Sequence, residues 1–115
     1  MKTISAKKIF SEGKILENKE LILKNGKIIS ISEIDQKSTF DFENLAPALI
    51  DLHINGGEEY HFTASPTPET LADIENSAAK NGVGYTLPTL ITSSFENIEK
   101  GLQTIDKYLQ QNPDS

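Results

Sequence analysis

The apolar pattern of this 115-residue chain changes period at Pro47. Ahead of it, apolar residues fall in short runs suited to strands. Behind it, strand-like runs alternate with helix-like ones. Such a switch predicts two units, strands over 1–47 and mixed strands and helices over 48–115. In the first unit, residues 7–10 and 14–17 read as short strands separated by Ser11-Glu12-Gly13. Residues 20–24 and 27–32 flank Asn25-Gly26, a pair that tolerates the positive φ of a type I′ turn and so marks a hairpin. Ile28, Ile29 and Ile31 place apolar groups on both faces of the second arm, so both faces are expected to be covered. Residues 32–44 read as a polar connection with one further strand at about 40–42.

The second unit begins with a strand over 49–55, followed by a helix over 65–81. Thr67 suits the N-cap, Pro68 the first helical position and Glu69 the positive helix end. Leu71, Ile74 and Ala78 recur on one face, and Gly82 can close the helix in a left-handed conformation. A second strand spans 85–91, although Pro88 cannot donate to a ladder. A second helix starts near Phe95, with Ser93 and Glu96 at capping-box spacing. Phe95, Ile98, Leu102, Ile105 and Leu109 form its apolar stripe, and Pro113 lies just past its end. The order strand-helix-strand-helix predicts parallel strands.

The segment with most chemistry is Ala46-Pro47-Ala48-Leu49-Ile50-Asp51-Leu52-His53-Ile54-Asn55-Gly56-Gly57. Strict alternation puts Ile50, Leu52 and Ile54 on one face and Asp51, His53 and Asn55 on the other. A strand covered on both sides is normally almost all apolar, so three polar side chains on one face need partners. At the C-terminal end of a parallel strand, His53 and Asn55 would point into one cavity. The two glycines would then permit a sharp exit and a close backbone approach. A His and an Asn on a strand also serve as hydrogen-bonded core residues, and spacing alone does not choose between these uses.

Net charge bears on the ligand. At −6, with basic residues scattered, the chain lacks the clustered Lys and Arg of a nucleic-acid binder. A local pocket for a small phosphorylated ligand is compatible with that charge. There is no cysteine, which excludes disulfides and thiolate metal sites. The first residues lack the apolar core of a signal peptide, and no apolar run nears the roughly 20 residues of a membrane helix. The expectation is a soluble, cytoplasmic protein with no membrane partner.

The proline, small residue, apolar pair, Asp51, His53, polar residue and Gly56-Gly57 run resembles the first barrel strand of the amidohydrolase superfamily. The Asn25-Gly26 hairpin resembles that superfamily's N-terminal β-sandwich. His-x-His is usual at the strand end, whereas this chain has His53-Ile54-Asn55. That departure, with Leu87-Pro88-Thr89-Leu90-Ile91-Thr92-Ser93, narrows the resemblance to the N-acetylglucosamine-6-phosphate deacetylases. Ala48 stands where the family usually has glycine. The resemblance covers about 8–109.

It implies an α/β fold class: an N-terminal β-sandwich portion over 1–47, then the first two β/α units of an incomplete TIM-like metal-dependent hydrolase barrel over 48–115. A complete barrel usually needs about 250 residues. The implied activity is hydrolysis of N-acetylglucosamine 6-phosphate to glucosamine 6-phosphate and acetate, with a divalent metal, zinc first, activating water. The implied partners are a small-molecule sugar phosphate and other copies of the enzyme in a homo-oligomer. His53 is the candidate metal ligand, or supports the ligands of a one-metal site. Asn55 is the candidate substrate-binding residue, and Asp51 a brace for its neighbours. No catalytic residue is assigned, since the family's principal ligands and its acid-base Asp come from later strands. The 115 residues alone are therefore expected to be inactive and to bind no metal of their own. His61 is given no role, Glu58 and Glu59 read as solvent-facing, and Thr89 and Thr92 as packing or backbone-bonding residues.

Two other readings compete. A dihydroorotase-like or deaminase-like amidohydrolase would be expected to keep His-x-His, and Asn55 speaks against it. A non-catalytic domain that self-associates through an open sheet edge fits the chain's length.

Overall fold

The computed structural model describes residues 1–34 and 39–113. Residues 35–38, inside the polar connection expected at 32–44, lie outside the described residues. The chain divides into two compact units, Met1–Pro47 and Ala48–Ser115.

The first unit is one mixed sheet of four strands, in the order β3-β2-β1-β4. Strand β1 is Lys2–Ser11, β2 Lys14–Lys24, β3 Lys27–Glu33 and β4 Phe42–Leu45. The first three form an antiparallel meander, and β4 adds parallel to β1. Both hairpin turns place two residues at positive φ, Glu12-Gly13 at 49° and 74° and Asn25-Gly26 at 51° and 74°. The Asn25-Gly26 hairpin is where it was expected. The Glu12-Gly13 turn instead joins strands much longer than the short runs read there. Asn18, at φ 53°, interrupts the polar pattern of β2 without shifting its register on β1. The strand expected near 40–42 begins at Phe42, and Asp41 just before it anchors β4. Its carboxylate accepts from the Ser5 backbone N–H at 2.8 Å and the Ser5 hydroxyl at 2.7 Å.

Ser5, Ala6 and Ile9 are buried, so the unit's interior follows β1. Ile28, Ile29 and Ile31 are all exposed, contrary to expectation. They lie on the edge strand β3, and the described residues of this unit form a single layer with nothing over that strand.

The second unit pairs β5 (Leu49–Ile54) with β6 (Val83–Pro88) in parallel, and carries helices α1 (Pro68–Lys80) and α2 (Phe95–Gln111). Helix α1 starts as its sequence dictates. Thr67 caps it by accepting from the Thr70 N–H, Pro68 opens it and Glu69 sits in the first turn. The Glu69 carboxyl titrates below the ordinary range, held by a backbone N–H and the Thr67 hydroxyl. Gly82 follows the helix at φ 75°. The second helix is capped by Ser94, whose hydroxyl accepts from the Asn97 N–H at 3.2 Å. Ser93, the expected cap, instead accepts from the Asn97 side-chain amide at 3.0 Å.

The core joins Phe62, Leu71 and Ile74 with the partly buried Ile54, Leu90, Ile105 and Tyr108. Phe62 and Ile74 are completely enclosed. Gly101 of α2 lies against Leu90, so close that a Cβ there would stand 2.6 Å from Leu90 Cδ1. A Tyr108 hydroxyl bond to Glu75 Oε2 at 2.8 Å ties α2 to α1.

Much apolar surface is left outside this core. Leu52 is 70% exposed, Tyr85 71% and Phe95 91%. The apolar stripe read on α2 is therefore only half used, with Ile98 and Ile105 inward and Phe95, Leu102 and Leu109 outward. The reason is the two-stranded sheet. Its strands offer too little width to cover the helix faces, and an apolar cavity of about 510 Å³ stands open between α1, β6 and α2. Exposed apolar area and open parallel edges favour association. As a prediction, residues 1–115 elute from a sizing column larger than a monomer, and a Leu52→Lys/Tyr85→Lys variant moves toward the monomer. A monodisperse monomeric parent chain by light scattering would sink this expectation.

Candidate functional site

Strands β5 and β6 finish together, and Asp51, His53 and Asn55 lie at that end. The ladder between them is irregular between Asp51 and Ile54. In that stretch the Asp51 carboxylate accepts from the His53 backbone N–H at 3.0 Å. Asp51 thus braces the strand, and its side chain is directed to the backbone rather than to an imidazole. His53 itself is exposed, while Asp51 and Asn55 are half-buried.

Asn55 is fixed from two directions. Its backbone carbonyl accepts from the Phe62 N–H at 2.6 Å, so the enclosed ring of Phe62 pins the strand end to the core. Its side-chain Oδ1 accepts from the Thr89 hydroxyl at 2.7 Å. Thr89 is placed by its own N–H, which donates to the Ile54 carbonyl at 2.9 Å. The backbone bond expected of Thr89 is therefore present, and the bond to the Asn55 side chain was not expected. The missed signal is the register: Pro88 pairs with Ile54, so the following residue falls beside Asn55.

Between Asn55 and Phe62 the chain doubles back. Gly56 bridges His61, and the Gly57 N–H donates to the Tyr60 carbonyl at 2.9 Å. Both glycines are required by space. A Cβ on Gly56 would stand 2.4 Å from the Tyr60 carbonyl oxygen, and one on Gly57 2.8 Å from the backbone carbon of Asp73 and 2.3 Å from its Oδ2.

Helix α1 holds this loop through one face. Asp73 Oδ2 accepts from the N–H groups of Glu59 and Tyr60, each at 3.0 Å. The Ser77 hydroxyl accepts from the Glu58 N–H at 3.0 Å, and Lys80 pairs with the Glu58 carboxylate at 2.9 Å. The Glu59 N–H, and after it the Tyr60 N–H, hold the Asp73 carboxyl below the ordinary aspartate range. Lys80 is shifted upward by its bond and charge contact with Glu58. Glu58 is thereby committed to a lysine. His61, Thr92 and Glu59 are exposed, and the Glu59 charge adds to the upward shift of Lys80.

Among the described residues no group of three His, Cys, Asp or Glu side chains could hold a metal. Zinc takes about four protein or water ligands. One exposed imidazole, with the neighbouring carboxylate turned to backbone, does not make such a site. What the arrangement offers is a rigid polar strand end: an imidazole, an oriented amide and a loop held close against a helix.

No family profile matches the chain. Two curated relatives are each 30% identical to it. One is N-acetylgalactosamine-6-phosphate deacetylase of Escherichia coli O157:H7, matched over 109 residues and 94% of this chain. The other is N-acetylglucosamine-6-phosphate deacetylase of Haemophilus influenzae (strain ATCC 51907 / DSM 11121 / KW20 / Rd), matched over 110 residues and 90% of this chain. The chain spans 29% of the length of each. Among solved structures, N-acetylglucosamine-6-phosphate deacetylase of Pasteurella multocida superposes with a TM-score of 0.79 at 24% identity, over 95% of this chain and 31% of that one. A variant of the Mycobacterium smegmatis deacetylase in complex with N-acetyl-D-glucosamine-6-phosphate gives 0.73 at 17% identity, over 95% and 29%. In fold, then, the chain matches part of a deacetylase acting on amino-sugar phosphates. More particularly, its curated and structural neighbours include N-acetylglucosamine-6-phosphate deacetylases, and it spans under a third of each one described above.

Because Asp73 accepts two loop N–H groups, its loss should release the loop rather than unfold the unit. As a prediction, Asp73→Ala speeds amide exchange at Glu59 and Tyr60 while leaving exchange in α1 unchanged. The sign with pH follows from the lowered pKa. The ionised carboxylate stabilises the loop fully above the ordinary aspartate value, about 4, and this is lost as pH falls through the lower folded value. Gly57→Ala should destabilise the unit by about 1–3 kcal/mol, since α1 must retreat. Denaturant unfolding checks this, and an unchanged midpoint would refute the close approach.

Proposed function

We propose that this chain is the N-terminal part of a hydrolase that deacetylates N-acetylglucosamine 6-phosphate, releasing glucosamine 6-phosphate and acetate. In this reading residues 1–47 contribute to a β-sandwich, and residues 48–115 are the first two β/α units of a TIM-like barrel. The observation that carries it is the polar strand end, where Asn55, the Gly56-Gly57 turn and Thr89 meet at the C-terminal ends of parallel strands. Strand ends of this kind are where α/β barrels place their chemistry. The two deacetylase relatives and the sugar-phosphate complex of the Mycobacterium smegmatis protein support the substrate class.

Asn55 binds and orients a substrate oxygen, Asp51 keeps the strand in shape, and α1 holds the exit loop against the site. The described donors do not fit a resident metal on their own. His53 therefore enters the proposal as one candidate ligand to zinc or another divalent metal whose other donors lie in further polypeptide. The same reading makes the enzyme a cytoplasmic homo-oligomer. No helix among the described residues is long and apolar enough to cross a membrane.

The test is acetate release from N-acetylglucosamine 6-phosphate by the polypeptide that carries residues 1–115 with the remaining barrel strands. The galactosamine epimer and the unphosphorylated sugar serve as comparisons. Release is expected to favour the phosphorylated glucosamine sugar and to fall at least about tenfold in Asn55→Ala, the loss of one good hydrogen bond in the transition state. Residues 1–115 alone are expected to release none. Acetate production by a monodisperse monomer of those residues would overturn the need for further strands.

A further inference from the structure

The Asn55 side chain has two faces with opposite chemistry: a carbonyl oxygen that accepts and an NH₂ that donates. Which of them is left for a ligand decides what Asn55 can do. The surrounding hydrogen bonds determine this. The Ile54 carbonyl already receives the Thr89 backbone N–H at 2.9 Å. The Thr89 hydroxyl has one hydrogen and two acceptors in reach, Asn55 Oδ1 at 2.7 Å and Ile54 O at 3.2 Å. The Ile54 carbonyl has a second lone pair, so distance decides, and the shorter bond is to Asn55 Oδ1. The hydroxyl therefore donates to Asn55 Oδ1.

We propose that Thr89 is a positioning residue that occupies the Asn55 Oδ1 and turns the Asn55 Nδ2 hydrogens outward, making Asn55 a donor to an acceptor oxygen of the ligand rather than an oxygen ligand for a metal. The identity of that ligand rests on the proposed function: the oxygen belongs to an N-acetylated sugar phosphate, as a carbonyl or hydroxyl oxygen. The orientation of the amide rests on the geometry alone. The backbone is held at both sides, by Phe62 N–H on the Asn55 carbonyl and by the Gly56–His61 bridge, which fixes the point from which the side chain projects, and the Thr89 bond then fixes the turn of the amide. Half-burial of Asn55 and Thr89 keeps water from competing freely for the bond.

The proposal separates three substitutions. Asn55→Asp keeps an acceptor for the Thr89 hydroxyl and any metal-ligating capacity, but removes the donor. Thr89→Val keeps shape and removes the hydroxyl. Thr89→Ser keeps the hydroxyl. In the polypeptide carrying the remaining barrel strands, Asn55→Asp should lose activity on N-acetylglucosamine 6-phosphate as fully as Asn55→Ala. Thr89→Val should fall about tenfold in kcat/KM, the worth of one oriented hydrogen bond, and Thr89→Ser should recover most of that. Thr89→Val combined with Asn55→Ala should be no worse than Asn55→Ala alone, because Thr89 acts through Asn55. Activity retained in Asn55→Asp, or losses that multiply in the double variant, would overturn it.

A readout independent of activity uses protein labelled with ¹⁵N-asparagine. The Asn55 side-chain NH₂ should give one distinct pair of resonances in the parent and in Thr89→Ser, and should shift toward the solvent-averaged position in Thr89→Val. An unmoved pair in Thr89→Val would overturn the positioning role. If the pair behaves as expected but no acetate is released from the sugar phosphate, the positioning stands and the proposed substrate fails.

Discussion

The second unit depends on one short return of the chain, in which the Phe62 N–H comes back to the Asn55 carbonyl at 2.6 Å. Phe62 is fully enclosed with Leu71 and Ile74, so this bond links the polar end of β5 directly to the hydrophobic core. Burying an aromatic side chain stabilises by a few kcal/mol, far more than a single exposed polar contact. The site therefore inherits its rigidity from packing. The hydrogen bonds around it mainly decide direction: Asp73 aims the loop, and Thr89 aims the amide. Glycine at 56 and 57 is the steric condition for the whole return, because either Cβ would collide with backbone.

Charge is placed to support that geometry. Asp73, Ser77 and Lys80 rise along one face of α1 at helical spacing and meet Tyr60, Glu59 and Glu58 of the loop. The Lys80–Glu58 pair is exposed on both sides and contributes little by itself. The Asp73 carboxylate does more, since each backbone N–H it accepts would otherwise have to be satisfied by water on a loop that must stay in place. An acidic chain can thus spend several of its carboxylates on its own backbone, as Asp41 does with Ser5 and Asp51 with His53.

What could be read in the sequence was what local chemistry decides. Asn25-Gly26 and the Thr67-Pro68-Glu69 helix start need only their own residues, and both formed as expected. The parallel pairing of β5 and β6 followed from element order. Long-range placement was harder. Ile28, Ile29 and Ile31 read as doubly covered, yet coverage depends on layers that the described residues do not contain. Ser93 matched a cap spacing, but Ser94 has the extended backbone that a cap requires. Phe62 falls between the expected strand and helix, and nothing in its neighbours announces a return to the core. Asp73 falls inside the expected helix, and its partners are set by a loop whose path the sequence does not disclose.

The position of Pro88 joins these threads. As a strand residue it weakens the ladder, since it has no N–H to give. It is also the residue paired with Ile54, at the last rung of β6. Ending the ladder there frees the next residue from strand geometry, while its N–H still reaches the Ile54 carbonyl. Thr89 sits beside the strand end with its hydroxyl 2.7 Å from Asn55 Oδ1 and 3.2 Å from the Ile54 carbonyl of β5. The proline that makes the sequence look least like a strand thus stands at the last rung, directly before the hydroxyl that holds the amide.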